Sequence, residues 1–188
     1  MDTEQLISKY TNKHSKFIEL YGINIHYRDE GVGDVILLIH GTFSSLHTFD
    51  KWTEILSKNY RVVRLDLPGF GLTGPTIDNE YGIDLFVDYI IQFINALEIN
   101  KFSIAGNSLG GWLTWELALA HEDRLNKMIL LNSAGYITDK DYPLKGKLLI
   151  QMFEKSSLRT RLSFYIAIKQ LAGGALTLRS DELHLGKG

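Results

Sequence analysis

Cysteine is absent from this 188-residue chain, which removes disulfide frameworks, thiolate metal sites and thiol nucleophiles together. Proline occurs only 3 times, at Pro68, Pro75 and Pro143, so no proline-rich linker divides the chain. An excess of one charge is missing as well. The 20 Lys and Arg against 22 Asp and Glu leave a net −2, which offers no electrostatic footprint for nucleic acid or an anionic membrane. No apolar run approaches the ~20 residues of a membrane span, and the opening MDTEQLISKYTNKHSKF carries acids where a secretory signal has its apolar core. A cytoplasmic protein is therefore expected, with neither nucleic acid nor membrane as partner. What remains is a chain 45% hydrophobic and 22% charged, the composition of a globular domain with a sizeable core.

Residues 17–27, FIELYGINIHY, alternate bulky and polar positions around Tyr21-Gly22 and read as two strands joined by a tight turn. Residues 35–40, VILLIH, form a continuous apolar run, the mark of a strand covered on both faces. An amphipathic stretch at 49–57, a strand at 60–65, a helix at 83–97, a strand at 102–105, a helix from Ser108 to about His121 and a strand at 127–131 complete the alternation. Strands alternating with helices imply right-handed crossovers and a mostly parallel sheet, so the fold class is α/β. From Tyr142 onward KLLIQMFEKSSLRTRLSFYIAIKQLAG is helical in period, and the polar, glycine-rich GGALTLRSDELHLGKG ends the chain. The expected division is a core at 1–136 and a helical appendage with a polar tail at 137–188.

The stretch GNSLG, residues 106–110, follows the strand and opens a helix. A serine on a sharp strand-to-helix turn has a strained backbone, and Gly106 and Gly110 leave room where side chains would strike the neighbouring strand or helix. The hydroxyl of Ser108 then projects above the carboxyl edge of the sheet as a nucleophile. The helix starting at Leu109 turns its unpartnered N–H groups and positive dipole end toward the place where an oxyanion forms, making Leu109 N–H the first donor. A second donor is expected from His40-Gly41-Thr42-Phe43, directly after VILLIH, at the N–H of Thr42. His40 reads as a residue that holds this turn, and Asp66, before Pro68-Gly69, as one that hydrogen-bonds its own loop. Phe43, His47 and Trp112 are candidates for a substrate pocket, against the alternative that they are core.

HGTFSSLHTFD (40–50), RLDLPGFGLTGP (64–75), AGNSLGGW (105–112) and LLNSAGY (130–136) together resemble the α/β-hydrolase superfamily, in the branch of small esterases and carbon–carbon bond hydrolases with a helical cap. The resemblance implies an α/β-hydrolase core with an antiparallel N-terminal hairpin, followed by the start of a cap. It implies Ser108 as nucleophile and the Leu109 and Thr42 N–H groups as oxyanion hole, with a small-molecule substrate and no cofactor or metal. Branches that dehalogenate or open epoxides are similar around the His-Gly loop but carry aspartate where Ser108 stands.

A serine needs a histidine to take its proton and a carboxylate to orient that histidine. The family delivers both from late strands, and no strand is expected here after Leu131. Asp181 and His184 lie on one helical turn rather than on two strand ends. Asp139 and Asp141 read as loop residues, and His14 and His26 belong to the opening hairpin. His121 stands ~18 Å along its helix from Ser108. The chain is therefore expected to stop within the cap, with its last strands missing and the sixth strand an exposed edge, completed by a complementing C-terminal segment or by homo-oligomerisation. Alternative readings are a non-catalytic ligand-binding or receptor-like homologue and an acyltransferase or perhydrolase on the same serine.

Overall fold

The computed structural model describes residues 3–135, 148–153 and 174–179. Its opening element is α1 (Thr3–Tyr10), which the sequence reading does not anticipate. The expected hairpin follows as β1 (Ser15–Leu20) and β2 (Ile23–Glu30), paired antiparallel with Leu20 opposite Ile23. Tyr21 and Gly22 between them both take positive φ, 51° and 75°, as a two-residue turn matched to strand twist requires. Then come β3 (Val35–Ile39), a 3-10 turn (Leu46–Phe49), α2 (Asp50–Leu56), β4 (Arg61–Leu65), α3 (Ile83–Ala96), β5 (Phe102–Asn107), α4 (Leu109–Ala120), β6 (Leu125–Leu131), β7 (Leu148–Phe153) and β8 (Gly174–Arg179).

The strand order is β1-β2-β4-β3-β5-β6-β7-β8, with β1–β2 and β2–β4 antiparallel and every other pair parallel. The order reverses between β3 and β5, since the chain passes from β3 outward to β4 and then back across to β5. A reversal of this kind opens a crevice at the carboxyl ends of the strands. The loops carrying Thr42 and Ser108 both leave from those ends.

Both faces of the sheet are covered at its centre, as the apolar strands there require. Leu37, Ile39, Val63, Leu65 and Ile104 pack against α3 and α4 residues such as Ile90, Phe93, Ile94 and Leu113. Leu38, Val62 and Ala105, the alternate positions, pack on the other face against Phe49, Trp52 and Leu56. Across β3, β4 and β5 one charged residue is buried. Arg64 on β4 is buried, and its guanidinium reaches Asp50, Glu30 Oε1 at 2.8 Å and the Leu46 carbonyl at 3.1 Å.

Two expectations for the appendage are corrected, the helix at Leu148–Phe153 and the polar tail at Gly174–Arg179, and with them the expectation of no strand after Leu131. Leu148–Phe153 is a strand whose residues 149–152 pair in parallel with Met128–Leu131, and Gly174–Arg179 is a further strand pairing along the whole of β7. The outer edge of β6 is therefore covered rather than exposed. A short apolar run such as LLIQMF fits a buried helix or a parallel strand equally well by pattern, and an unpaired β6 edge supplies the backbone partners that favour the strand. Asp139, Asp141, Asp181 and His184 lie outside the described residues.

Truncating Arg64 leaves Glu30 and Asp50 without their shared cation. Arg64→Ala is expected to lower unfolding free energy by about 3 kcal/mol, read from the urea midpoint at constant slope.

Candidate active site

Ser108 occupies the turn between β5 and α4 with φ 52° and ψ −113°, a left-handed conformation rare outside glycine. Its side chain makes no capping bond to the helix it precedes, so this is not an ordinary N-cap serine. The turn is held by backbone instead. Ser108 N–H donates to the Leu131 carbonyl at 3.0 Å, and the Ser108 carbonyl accepts from Trp112 N–H at 3.1 Å and Ala134 N–H at 2.9 Å. The loop after β6 thus clamps the elbow on both sides.

The flanking glycines are required by close approach. A Cβ on Gly106 would run into the Gly110 carbonyl and the Thr114 hydroxyl, and one on Gly110 would run into the carbonyls of Ile39 and His40. Neither neighbour is a flexible side-chain end, so the elbow can sit this close to β3 only without side chains at 106 and 110. Gly41 closes the arrangement, because a Cβ there would lie 3.1 Å from the Asn107 carbonyl oxygen and 3.1 Å from Ser108 Cβ. The loop bearing Thr42 is thereby laid against the nucleophile turn. Leu109 opens α4, where an N–H has no acceptor within its own helix.

His40 is buried and fully engaged: Nδ1 donates to the Gly41 carbonyl at 2.7 Å, and Nε2 accepts from Leu67 N–H at 3.0 Å. Burial pushes its pKa below the ordinary histidine value, with the Gly41 carbonyl and Asp66 opposing. It holds the turn in neutral form, as its sequence context implies. Asp66 does more than its own loop needs. Oδ1 accepts from Leu46 N–H at 2.7 Å, while Oδ2 accepts from Leu72 N–H at 2.9 Å and from His26 Nδ1 at 2.8 Å. Burial alone would raise this carboxyl, but the hydrogen bonds from His26, Leu72 and Leu46 outweigh it and hold its pKa below the usual carboxylate range.

The buried His26–Asp66 pair escapes sequence reasoning, because 40 residues separate its members and only the β2–β4 pairing brings them together. Its composition is that of an acid–base dyad. Its geometry is not, because His26 Nε2 is sealed from solvent and has no hydrogen-bond partner among the described residues. Each other described histidine with a bonding partner is engaged elsewhere: His14 near Glu30 and His47 on Asp50 and the Tyr10 carbonyl. His121 caps the far end of α4. Among the described residues no histidine reaches the Ser108 hydroxyl.

The three pocket candidates part company. Phe43, with φ 55° and 96% exposure, and His47 line a cavity of about 450 Å³ together with α1. Trp112 is not among its lining residues; its Nε1 donates to Glu116 at 3.0 Å and its ring lies beside Gly135. Among the described residues no group of three or more His, Cys, Asp or Glu is placed to hold a metal ion, and no helix is long and apolar enough to cross a membrane.

The family model described as the alpha/beta hydrolase fold matches residues 34–177, and the chain belongs to that family. Among curated proteins it is 33% identical over 117 residues to the 2-hydroxymuconate semialdehyde hydrolase of Pseudomonas sp. (strain CF600), covering 61% of this chain and 41% of that protein. It is 31% identical over 141 residues to the 2-hydroxy-6-oxo-6-(2'-aminophenyl)hexa-2,4-dienoic acid hydrolase of Metapseudomonas resinovorans, covering 72% and 48%. The chain thus spans about half or less of the length of these relatives. The meta-cleavage product hydrolase CumD of Pseudomonas fluorescens IP01 superposes with a TM-score of 0.72 at 22% identity, over 89% of this chain and 90% of that one, which establishes the shared fold.

Two outcomes follow from the elbow and the carboxylate. Gly110→Ala is expected to cost more than about 2 kcal/mol in urea unfolding, because backbone on β3 must give way. For Asp66 the lowered folded pKa means its contribution is present above the unfolded value of ~4 and is lost as pH falls through the folded value. The melting temperature should therefore fall more steeply below pH ~4 in the parent chain than in Asp66→Asn, as followed by circular dichroism.

Proposed function

We propose that this chain carries the nucleophile half of a serine hydrolase acting on small molecules, through an ester or a carbonyl-activated carbon–carbon bond. The observation behind the reading is Ser108 itself: a non-glycine residue in left-handed backbone, not capping its helix, between two glycines that tolerate no side chain. Strain of this kind costs about 1–3 kcal/mol and is found where a side chain must be aimed. In the proposed step the Ser108 oxygen adds to the substrate carbonyl carbon and its proton passes to a general base. The oxygen of the tetrahedral adduct takes the negative charge and accepts from the N–H groups of Leu109 and Thr42. Collapse expels the alcohol, or the carbon leaving group with a proton, and leaves an acyl-serine that water cleaves to a carboxylic acid.

The base and its orienting acid are, in this reading, residues outside the described part of the protein, contributed by the chain's own later residues or by a complementing segment. The carbon–carbon option draws support from the names of the matched relatives, two of which are hydrolases of dienoic or semialdehyde compounds. The cytoplasm is the proposed compartment.

The test is covalent labelling of the full-length gene product by a fluorophosphonate probe, with turnover of p-nitrophenyl acetate and 2-hydroxymuconate semialdehyde measured in parallel. Label on the peptide containing Ser108 is expected, with Ser108→Ala abolishing it and lowering turnover by more than about 10³-fold. Saturable binding of these substrates with neither labelling nor turnover would overturn the hydrolase reading in favour of a ligand-binding protein.

A further inference from the structure

The cavity between α1 and the loop after β3 is separate from the nucleophile, since Ser108 is not among its lining residues. Its volume of about 450 Å³ lies within the range of small-molecule sites. Leu6 and Tyr10 of α1 form one wall, Phe43 and Leu72 face it, and Ser44 and Thr48 add hydroxyls. The α1 wall is pinned at its end. The Tyr10 carbonyl, one of the orphan acceptors of the helix C-terminus, accepts from Arg28 Nη2 at 3.0 Å and from His47 Nε2 at 3.1 Å. The Arg28 side chain is only 5% exposed and is also fixed by Ser15 Oγ and Asp50. A buried cation thus docks the helix that closes the cavity.

The acidic and basic side chains on the lining, Asp66 and His47, already have their polar atoms bonded. Both oxygens of Asp66 accept bonds from Leu46, Leu72 and His26, and both nitrogens of His47 are engaged by Asp50 and Tyr10. An anionic ligand would leave water with no free cation among the described lining residues to meet. A cationic one would meet only a carboxylate whose oxygens already accept three hydrogen bonds, so in either case apolar contact does not offset the cost. Among the described residues the Ser44 and Thr48 hydroxyls bond only to one another. One of the two keeps a proton to donate, and both keep lone pairs. Phe43 sustains a positive φ with its ring almost wholly in water, an arrangement costly in both backbone and apolar exposure unless the ring has something to cover.

We propose that this cavity is a second binding site, distinct from the Ser108 crevice, for an uncharged small molecule with an aromatic or branched apolar body and a single carbonyl or hydroxyl group. The apolar body lies between Leu6, Tyr10, Phe43 and Leu72, and the polar group bonds to the Ser44–Thr48 hydroxyl pair. Thr42 precedes Phe43 in the chain, so the occupant sits one residue from the expected oxyanion donor.

The experiment uses the full-length chain carrying Ser108→Ala, so that binding is read without any reaction and independently of whether the hydrolase reading holds. Acetophenone, benzoate and benzylamine serve as matched neutral, anionic and cationic probes, titrated by NMR at pH 7. Acetophenone is expected to bind saturably, with the two charged probes at least about tenfold weaker. Ser44→Trp, which fills the cavity, and Leu6→Ala, which removes part of the wall, should each weaken acetophenone at least about fivefold while the melting temperature stays within about 3 °C of the parent. Absence of saturable acetophenone binding, equal affinity for a charged probe, or unchanged binding in both variants would overturn the proposal.

Discussion

The site depends on one close approach of backbone to backbone. The first turn of α4 lies against the end of β3 so tightly that Gly110 has no room for a methyl group beside the carbonyls of Ile39 and His40. Gly106 meets the same limit against α4 itself. With both positions cleared, the chain can pass from β5 into α4 through a single residue, and that residue has to take φ 52°. Serine is a poor choice for such a backbone on energetic grounds alone. The surrounding bonds over-determine the turn, with β6 and its following loop gripping Ser108 by N–H and carbonyl alike.

A second constraint organises the periphery. The Asp66 carboxylate joins the hairpin through His26, the loop after β3 through Leu46, and its own loop through Leu72. Gly71 approaches that carboxylate so closely that a side chain there could not be accommodated. The loop bearing Thr42 and Phe43 is thus tied at one end to the elbow through Gly41 and at the other to Asp66. Two histidines beside these loops take part as neighbours of buried acceptors and donors, His40 on the turn after β3 and His26 on Asp66. Further out, the buried guanidiniums of Arg28 and Arg64 share Asp50, and Arg28 also captures the end of α1. Polar groups at the rim of the sheet are therefore mostly structural, which leaves the elbow serine as the exception.

The sheet edge shows how a local pattern yields to its surroundings. LLIQMF carries no alternation and no cap signal, and six apolar or amphipathic residues satisfy a buried strand or a helix turn alike. Once β6 ends the sheet, its free N–H and carbonyl groups reward any extended segment that can lie beside it. β7 takes that place, and β8 repeats the step against β7.

The sequence by itself determined the α/β alternation, the hairpin at Tyr21-Gly22, the placement of Ser108 between a strand and a helix, and the need for small residues at 106 and 110. Each of these is local, written in periodicity or in backbone limits that a few neighbouring residues impose. It also marked His40 and Asp66 as turn-holding residues, because a polar side chain beside a glycine or proline bend has nearby backbone to satisfy. Tertiary structure alone decided that His26 meets Asp66, that Arg28 and Arg64 are buried, that α1 closes a cavity with Phe43, and that the segment at Leu148–Phe153 is a strand. Those contacts join residues far apart in the chain, and their energies depend on which backbone groups the finished sheet leaves unpaired and which charges it removes from water.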